Sequence, residues 1–330
     1  MTRARYCQID LAETTFYHVI NRCVRRSYLC GKDRYSGKNF EHRRQWVIKR
    51  IKHLAKIYSI EIGAYAIMSN HYHLVLNVNI QNANSWSMDE VIKRWRNLYK
   101  GHVVVDKYLA GIELSAAEIK LVNDLTLVWR KRLYDISWFM KSLNEFIARQ
   151  SNKEDKCTGK FWEGRFKSQA LLDNTALLSC LAYVDLNPIR AGICDSLEGS
   201  DFTSIQERLI QQHAYTKLIN RNSQNSEFSV PNQPPSLMPF ITKHCKSNLP
   251  FDLDSYLQLV QWSKSNLVNN DVTVSVIESS TLFVELGLDA ELWLEAVKNF
   301  RRHYGSWAGS QNILKRFAQS HGQRWCKGTG

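Results

Sequence analysis

The spacing of hydrophobic and polar positions changes several times along this chain, and each change marks an element. Phe16 to Val24 carries the β-branched and aromatic residues of a strand. From about Phe40 to Tyr58 the period becomes helical: Trp46, Val47, Ile51, Leu54, Ala55 and Tyr58 recur, with Arg43, Arg44, Lys49, Arg50, Lys52 and Lys56 between them. That spacing predicts an amphipathic helix with a basic outer face. Ile60 to Ile67 and His71 to Val78 are two apolar runs separated only by Met68, Ser69 and Asn70, which predicts a hairpin.

Residues 84 to 150 are mostly helical in pattern. Trp86, Trp95, Tyr99, Trp129, Trp138 and Phe139 are interleaved there with Lys93, Arg94, Arg96, Lys100, Arg130, Lys131 and Arg132. Aromatics among cations suit base stacking and phosphate neutralisation. Helical spacing also suits burial of the same rings in a core, and that reading takes precedence for most of them. Gly159 to Leu172 predicts a turn and a further strand, after which Asp173 or Asn174 can cap a helix from about Thr175 to Leu186. Asn187-Pro188 ends that helix, because proline disfavours helical geometry in the residue before it. The order strand, helix, two strands, helices, strand, helix predicts an α+β fold with helices covering one face of an antiparallel sheet.

The segment from Asn220 to Pro250 is rich in Ser, Asn, Gln and Pro and has the composition of a linker. Short helical patterns follow at Leu253 to Trp262, Leu282 to Leu286, Ala290 to Phe300 and Trp307 to Ser320. The expected organisation is a catalytic domain over residues 1–200 with a helical insertion at about 84–150, a linker region over 201–250, and a small all-α domain over 251–330. A DNA-binding accessory module and a packing or oligomerisation unit are both open for that last part.

A formal charge of +13 changes the picture, because 11 of that surplus falls in the first 200 residues. A polyanion such as nucleic acid is the natural partner of such a surface. Cys7, Cys23, Cys30, Cys157, Cys180, Cys194, Cys245 and Cys326 are scattered, with no Cys-x-x-Cys, which argues against a zinc ribbon and a secreted disulfide scaffold. The first residues lack an apolar signal core, and no stretch approaches the roughly 20 apolar residues of a membrane span. A cytoplasmic protein without membrane contact is expected.

The candidate chemistry starts at His71 and His73. Side chains alternate along a strand, so these two imidazoles point one way and Tyr72 the other. Alone, the pair is better read as half-buried structural histidines or a solvated strand face than as a metal pair. Tyr183 and Asn187, four apart, share a helical face that can meet the hairpin. His71, His73 and Asn187 then surround a divalent cation, Mg²⁺ or Mn²⁺, with Tyr183 one turn away. Two neutral imidazoles and an amide oxygen hold such an ion less tightly than a carboxylate cage, leaving positions for phosphate oxygens and water. Tyr134 lacks a polar partner at a matching position.

Three motifs in order carry a resemblance. Met68 to Leu74 (Met-Ser-Asn-His-Tyr-His-Leu), Gly164 to Lys167 (Gly-Arg-Phe-Lys), and Tyr183 to Gly192 (Tyr-Val-Asp-Leu-Asn-Pro-Ile-Arg-Ala-Gly) resemble the REP-associated tyrosine transposases. These belong to the HUH single-tyrosine transposases of the insertion-sequence 200 type. The resemblance covers roughly residues 10 to 195. It implies a ferredoxin-like catalytic domain of the HUH endonuclease type, with His71, His73 and Asn187 as metal-binding side chains and Tyr183 as nucleophile. It also implies cleavage and rejoining of single-stranded, hairpin-containing DNA, such as REP-like or insertion-sequence ends, through a 5′-phosphotyrosine. Arg25, Arg26, Arg165, Lys167 and Arg190 are the candidate DNA contacts. Residues 84 to 135 are longer than the family's usual connection, and residues 200 to 330 have no counterpart in it. Domesticated hairpin binding without cleavage, and hydrolysis without a covalent step, are the alternatives. A single-chain site and one shared in a homodimer are both open.

Overall fold

The sheet is built outward from β1 (Phe16–Arg22), which pairs antiparallel with β3 (His71–Val78) on one side and with β4 (Lys167–Leu171) on the other. β2 (Ile60–Ile67) pairs antiparallel with β3 as the expected hairpin, and its register slips between Ile62 and Ala64. β5 (Trp307–Ala308) adds to β4 in parallel, giving the order β2-β3-β1-β4-β5. The computed structural model describes residues 8–24, 29–33, 37–221, 233–241, 247–268, 280–324 and 326–328.

One face of the sheet carries Tyr17, Val19, Tyr72, Leu74 and Leu76, all buried in one core cluster. α1 (His42–Ile57) packs there through Val47, Ile51 and Leu54, beside α6 (Ile136–Glu154). Both helices lie in crossovers, α1 between β1 and β2 and α6 between β3 and β4. The basic outer face expected for α1 is only partly there. Arg43 is buried and bonds Glu154 at 2.6 Å and also Asp155, and Arg44 bonds Glu41 at 2.6 Å and the Ile67 carbonyl. Paired with carboxylates and carbonyls, these guanidinium groups can be taken out of water.

The segment before α6 is helical as its pattern predicted, comprising α2 (Ile80–Ser85), α3 (Met88–Arg96), α4 (Val103–Leu109) and α5 (Ala116–Arg132). Trp95 and Trp129 are core, and Trp86, Tyr99, Tyr108 and Tyr134 are partly buried against it. Trp95 stacks on Trp129 at 5.5 Å between ring centroids and on Tyr99 at 4.4 Å, and both tryptophans are buried.

The opposite face of the sheet is covered too, which corrects the expectation of helices on one face. Ala64, Ala66, Val75 and Leu171 form a second apolar surface, and an apolar surface on each side of a sheet requires cover on each side. The small residues of β2 admit α7 (Asn174–Asp185) against the sheet. Asp173 is the N-cap, its Oδ1 accepting from the Ala176 amide at 2.8 Å. At Leu186 the chain leaves α7 and turns into α8 (Asn187–Arg190), with Pro188 in its first turn, where the missing N–H costs nothing.

The expected linker holds structure as well. α9 (Ser204–Arg221) docks on β2: Ser204 Oγ accepts from the Tyr65 amide at 2.9 Å, and buried Arg208 donates to the carbonyls of Gly63 and Met238 at 2.9 and 3.0 Å. Ile205 is buried alongside them, and the Ser-, Asn-, Gln- and Pro-rich composition that suggested a linker belongs to residues 220–250, beyond nearly all of this helix. Leu237, Met238 and Phe240 are buried beyond it.

The tail contains α10 (Leu253–Val268), α11 (Ser280–Leu286), α12 (Ala290–His303) and α13 (Gln311–Ser320). It is not all-α, since β5 joins the main sheet, and two consecutive strand residues are too few to show a period. Nor is its core separate: Trp293, Val297 and Phe300 belong to the cluster of Leu177, Leu181 and Val184 in α7. Among the described residues no helix is long and apolar enough to cross a membrane.

Candidate active site

The face of the sheet under α7 carries three histidines. His71 and His73 sit two apart on β3, and His18 stands on β1 opposite Val75, one register step from His73. Opposed residues of an antiparallel pair share a face, so all three imidazoles point toward α7. The rings of His71 and His73 are 4.9 Å apart, and those of His18 and His73 are stacked at 5.2 Å. Tyr72 points into the other core as its position predicted, fully buried, its hydroxyl donating to Asn144 Oδ1 at 2.5 Å.

Buried polar atoms link these side chains in one direction. Asn187 Nδ2 donates to His73 Nε2 at 3.3 Å; His73 Nδ1 is 2.9 Å from His18 Nε2, and His18 Nδ1 is 3.1 Å from Gln169 Oε1. The Gln169 amide nitrogen then donates to the Gly305 carbonyl at 2.8 Å. With an amide donor at one end and an amide oxygen at the other, one tautomer satisfies every link: both histidines neutral, each protonated on Nδ1. Burial favours the neutral form of each. His18 is lowered to about 4, by burial first and then by Arg301; His71 is lowered to about 4 by burial, Arg22 and Arg301. His73 is lowered well below its ordinary value, by burial first and then by its histidine neighbours.

Tyr183 lies in the last turn of α7 with only 7% of its surface exposed. Its ring is 5.6 Å from that of His73 and 5.9 Å from that of His18, both edge-on. Phe300 of α12 covers it at 5.5 Å, and the Arg190 guanidinium lies 4.6 Å from the ring centroid. Arg190 is itself anchored, donating to the Lys298 carbonyl. Thus Tyr183, Asn187 and Arg190 all reach the histidine cluster from one helical connection.

The donor set suits a divalent cation. His71 Nδ1 is tied to Asn70 Oδ1 at 2.7 Å and His73 Nδ1 to His18, so each imidazole keeps Nε2 as the unprotonated nitrogen a metal needs. A half-turn of the Asn187 amide exchanges Nδ2 for Oδ1 on the same site. Two imidazole nitrogens and an amide oxygen favour Mn²⁺ over Mg²⁺. Among the described residues no group of three or more His, Cys, Asp or Glu side chains is disposed to hold a metal by itself. That accords with His18, whose Nε2 is turned to His73.

Arg165 and Lys167 are exposed and line a cleft together with His18. Arg25 and Arg26 lie outside the described residues. Sequence reasoning missed His18, Gln169 and Phe300. His18 carried one signal, a polar residue between Tyr17 and Val19 in an otherwise apolar strand centre, but no second residue at a fixed spacing gave it a role.

No protein-family model matches this chain, and no curated protein matches it. Among solved structures, a REP-associated tyrosine transposase bound to a REP hairpin aligns with 70% of this chain and 96% of its own length, at 14% identity and a TM-score of 0.36.

Proposed function

We propose that the protein is a metal-dependent DNA endonuclease and strand transferase of transposase type, acting on single-stranded, hairpin-containing DNA with Tyr183 as nucleophile. The observation that supports this best is the meeting of Tyr183 and Asn187 with His73, at 5.6 Å between rings and 3.3 Å between nitrogens. A tyrosine beside two neutral imidazoles and an amide is a nucleophile next to a candidate cation site. The strand order β2-β3-β1-β4, with the crossover helices α1 and α6 on one face, supports a ferredoxin-like core. In this reading residues 1–200 hold the catalytic side chains and the later residues are an accessory part.

His71 and His73, through Nε2, and Asn187, through its amide oxygen, would hold Mg²⁺ or Mn²⁺. The chemistry a bound ion supplies is charge neutralisation on the scissile phosphate. The Tyr183 hydroxyl oxygen attacks phosphorus, a tyrosine–phosphate bond forms, and the bond from phosphorus to the 3′ oxygen breaks. In net terms the phenol loses a proton and the departing 3′ oxygen gains one, leaving a 5′-phosphotyrosine and a 3′-hydroxyl. The ester energy is conserved, so a second strand end can displace the tyrosine without ATP. Arg190 holds a positive charge beside the ring, Arg165 and Lys167 offer charge to the backbone, and His18 and Gln169 orient His73.

The test is incubation of the protein with a hairpin-bearing single strand and Mn²⁺, followed by a denaturing gel. Wild type should give a protein–DNA adduct and Tyr183→Phe none; equal products from the two would sink the covalent mechanism. One observation favours the second reading, a hairpin binder that does not cut: Phe300 and Arg190 leave little of Tyr183 accessible. In that case no metal supports cleavage, and Tyr183→Phe binds DNA as wild type does.

A further inference from the structure

A cleft of about 540 Å³ opens beside the histidine cluster, with His18 and Gln169 among its walls. Its cations come from two distant parts of the chain. Arg165 and Lys167 stand at the start of β4, while Arg301 and Lys327 belong to the tail. A second cleft of about 380 Å³ shares Arg165, Lys167 and Arg301 with the first and adds Arg22 and one acid, Glu163. Taken together as one groove, the two clefts share these walls and carry five cations and a single carboxylate. All five are exposed, and none forms an ion pair among the described residues. Unpaired like charges along one groove repel each other, and a bound polyanion relieves that repulsion.

The tail half of the groove is fixed to the catalytic half. Arg301 follows Phe300, whose ring covers Tyr183. The turn after it is held by the bond from Gln169 to the Gly305 carbonyl and by the Ala170 amide, which donates to the Ser306 carbonyl at 2.9 Å. β5 then pairs with β4, and the Ser310 amide donates to Asp173 Oδ2 at 2.6 Å. Arg301 is thus set by a helix on one side and by the sheet on the other, with the nucleophile's helix between.

We propose that this groove takes the phosphodiester backbone of a single DNA strand, and that Arg301 and Lys327 of the C-terminal segment are phosphate contacts completing it. The identity of the ligand rests on the proposed function; the assignment of the tail residues is new to it. The tail is then half of the substrate-binding surface, and the strand passes between Arg165 and Arg301 on its way to Tyr183.

The experiment is fluorescence anisotropy of the full-length protein with a labelled oligothymidylate over a range of salt concentrations. Neutralising one phosphate contact on a single strand lowers the slope of log affinity against log salt by about 0.7. Arg301→Gln and Lys327→Gln should each weaken binding at low salt and flatten the slope by about that amount, and Arg301→Lys should restore most of it. Both positions are exposed, so the variants should keep the circular dichroism and melting temperature of wild type. Arg149→Gln is the control, a cation on α6 across the sheet that is 78% exposed. Wild-type affinity and slope in both tail variants, or an equal loss in Arg149→Gln, overturns the groove. If those variants bind as wild type while wild type still forms the Tyr183 adduct, the groove falls and the mechanism stands. If wild type binds no single strand, both fall.

Discussion

His18 Nε2 and His73 Nδ1 lie 2.9 Å apart, two buried imidazoles from neighbouring strands joined by one proton. The bond fixes which nitrogen of His73 is bare, and the bare one faces Asn187. Under the proposed function, His18 is therefore a positioning residue that acts on the site through His73. His18→Leu should lower Mn²⁺ affinity by about 10- to 100-fold, as loss of such outer partners commonly does. Titration calorimetry of the metal alone checks this, and unchanged affinity would show that His73 needs no partner. His73 in the metal-free protein should also lose its single tautomer, read from its ring ¹⁵N shifts.

Tyr72 separates the two candidate ligands yet serves the other face. Its hydroxyl donates to Asn144 of α6, so Tyr72→Phe leaves a half-buried amide oxygen without that donor. The expected cost is about 0.5–1.5 kcal/mol in urea unfolding, with metal affinity and adduct formation kept. Loss of adduct in a variant that stays folded would place Tyr72 in the chemistry.

Phe300 is fully buried against Tyr183, His18 and Tyr304. Phe300→Ala should destabilise by about 3–5 kcal/mol, the usual range for removing a core aromatic ring. It should also uncover Tyr183, seen as faster nitration of that residue by tetranitromethane under conditions where the variant is folded. An unchanged nitration rate would mean that the Phe300 ring does not control access.

Glu207 ties α9 to the rest. Lys52 of α1 and Tyr65 of β2 each donate to it at 2.7 Å, and Ser236 donates as well. Burial alone would raise its carboxyl, and these three donors together hold it below the ordinary value of 4.5. A lowered carboxyl stabilises the fold above the unfolded-state value and loses that contribution as pH falls through the folded one. Wild type minus Glu207→Gln should therefore show a stability difference that is constant near neutrality and shrinks below about pH 4.5. A pH-independent difference in denaturant midpoints would contradict the assignment.

What the sequence disclosed follows from what kind of contact each element makes. The β2–β3 hairpin, α1 and α7 bury apolar residues at regular spacing, and their limits were legible to within a few residues. Tyr183 and Asn187 were legible because one helical turn separates them, and the structure does bring both to His73. His18 and Gln169 were not, since their pairing depends on strand register, which no local pattern encodes. α9 docks through buried Ser204 and Arg208 as much as through Ile205, so few of its docking residues add to an apolar period. The second covered face was missed because α7, rather than a crossover helix, supplies the cover.

The parallel addition of β5 to β4 has a practical consequence. A chain cut before Ala290 loses that partner strand, and the outward backbone amides and carbonyls of β4 become an open seam to which another molecule's strand can add. The same cut removes the Ser310 amide from Asp173, whose other oxygen caps the helix carrying Tyr183. A trimmed version meant to isolate the half that carries Tyr183 should therefore tend to aggregate. Inactivity in such a preparation would report on the exposed seam rather than on the chemistry of Tyr183.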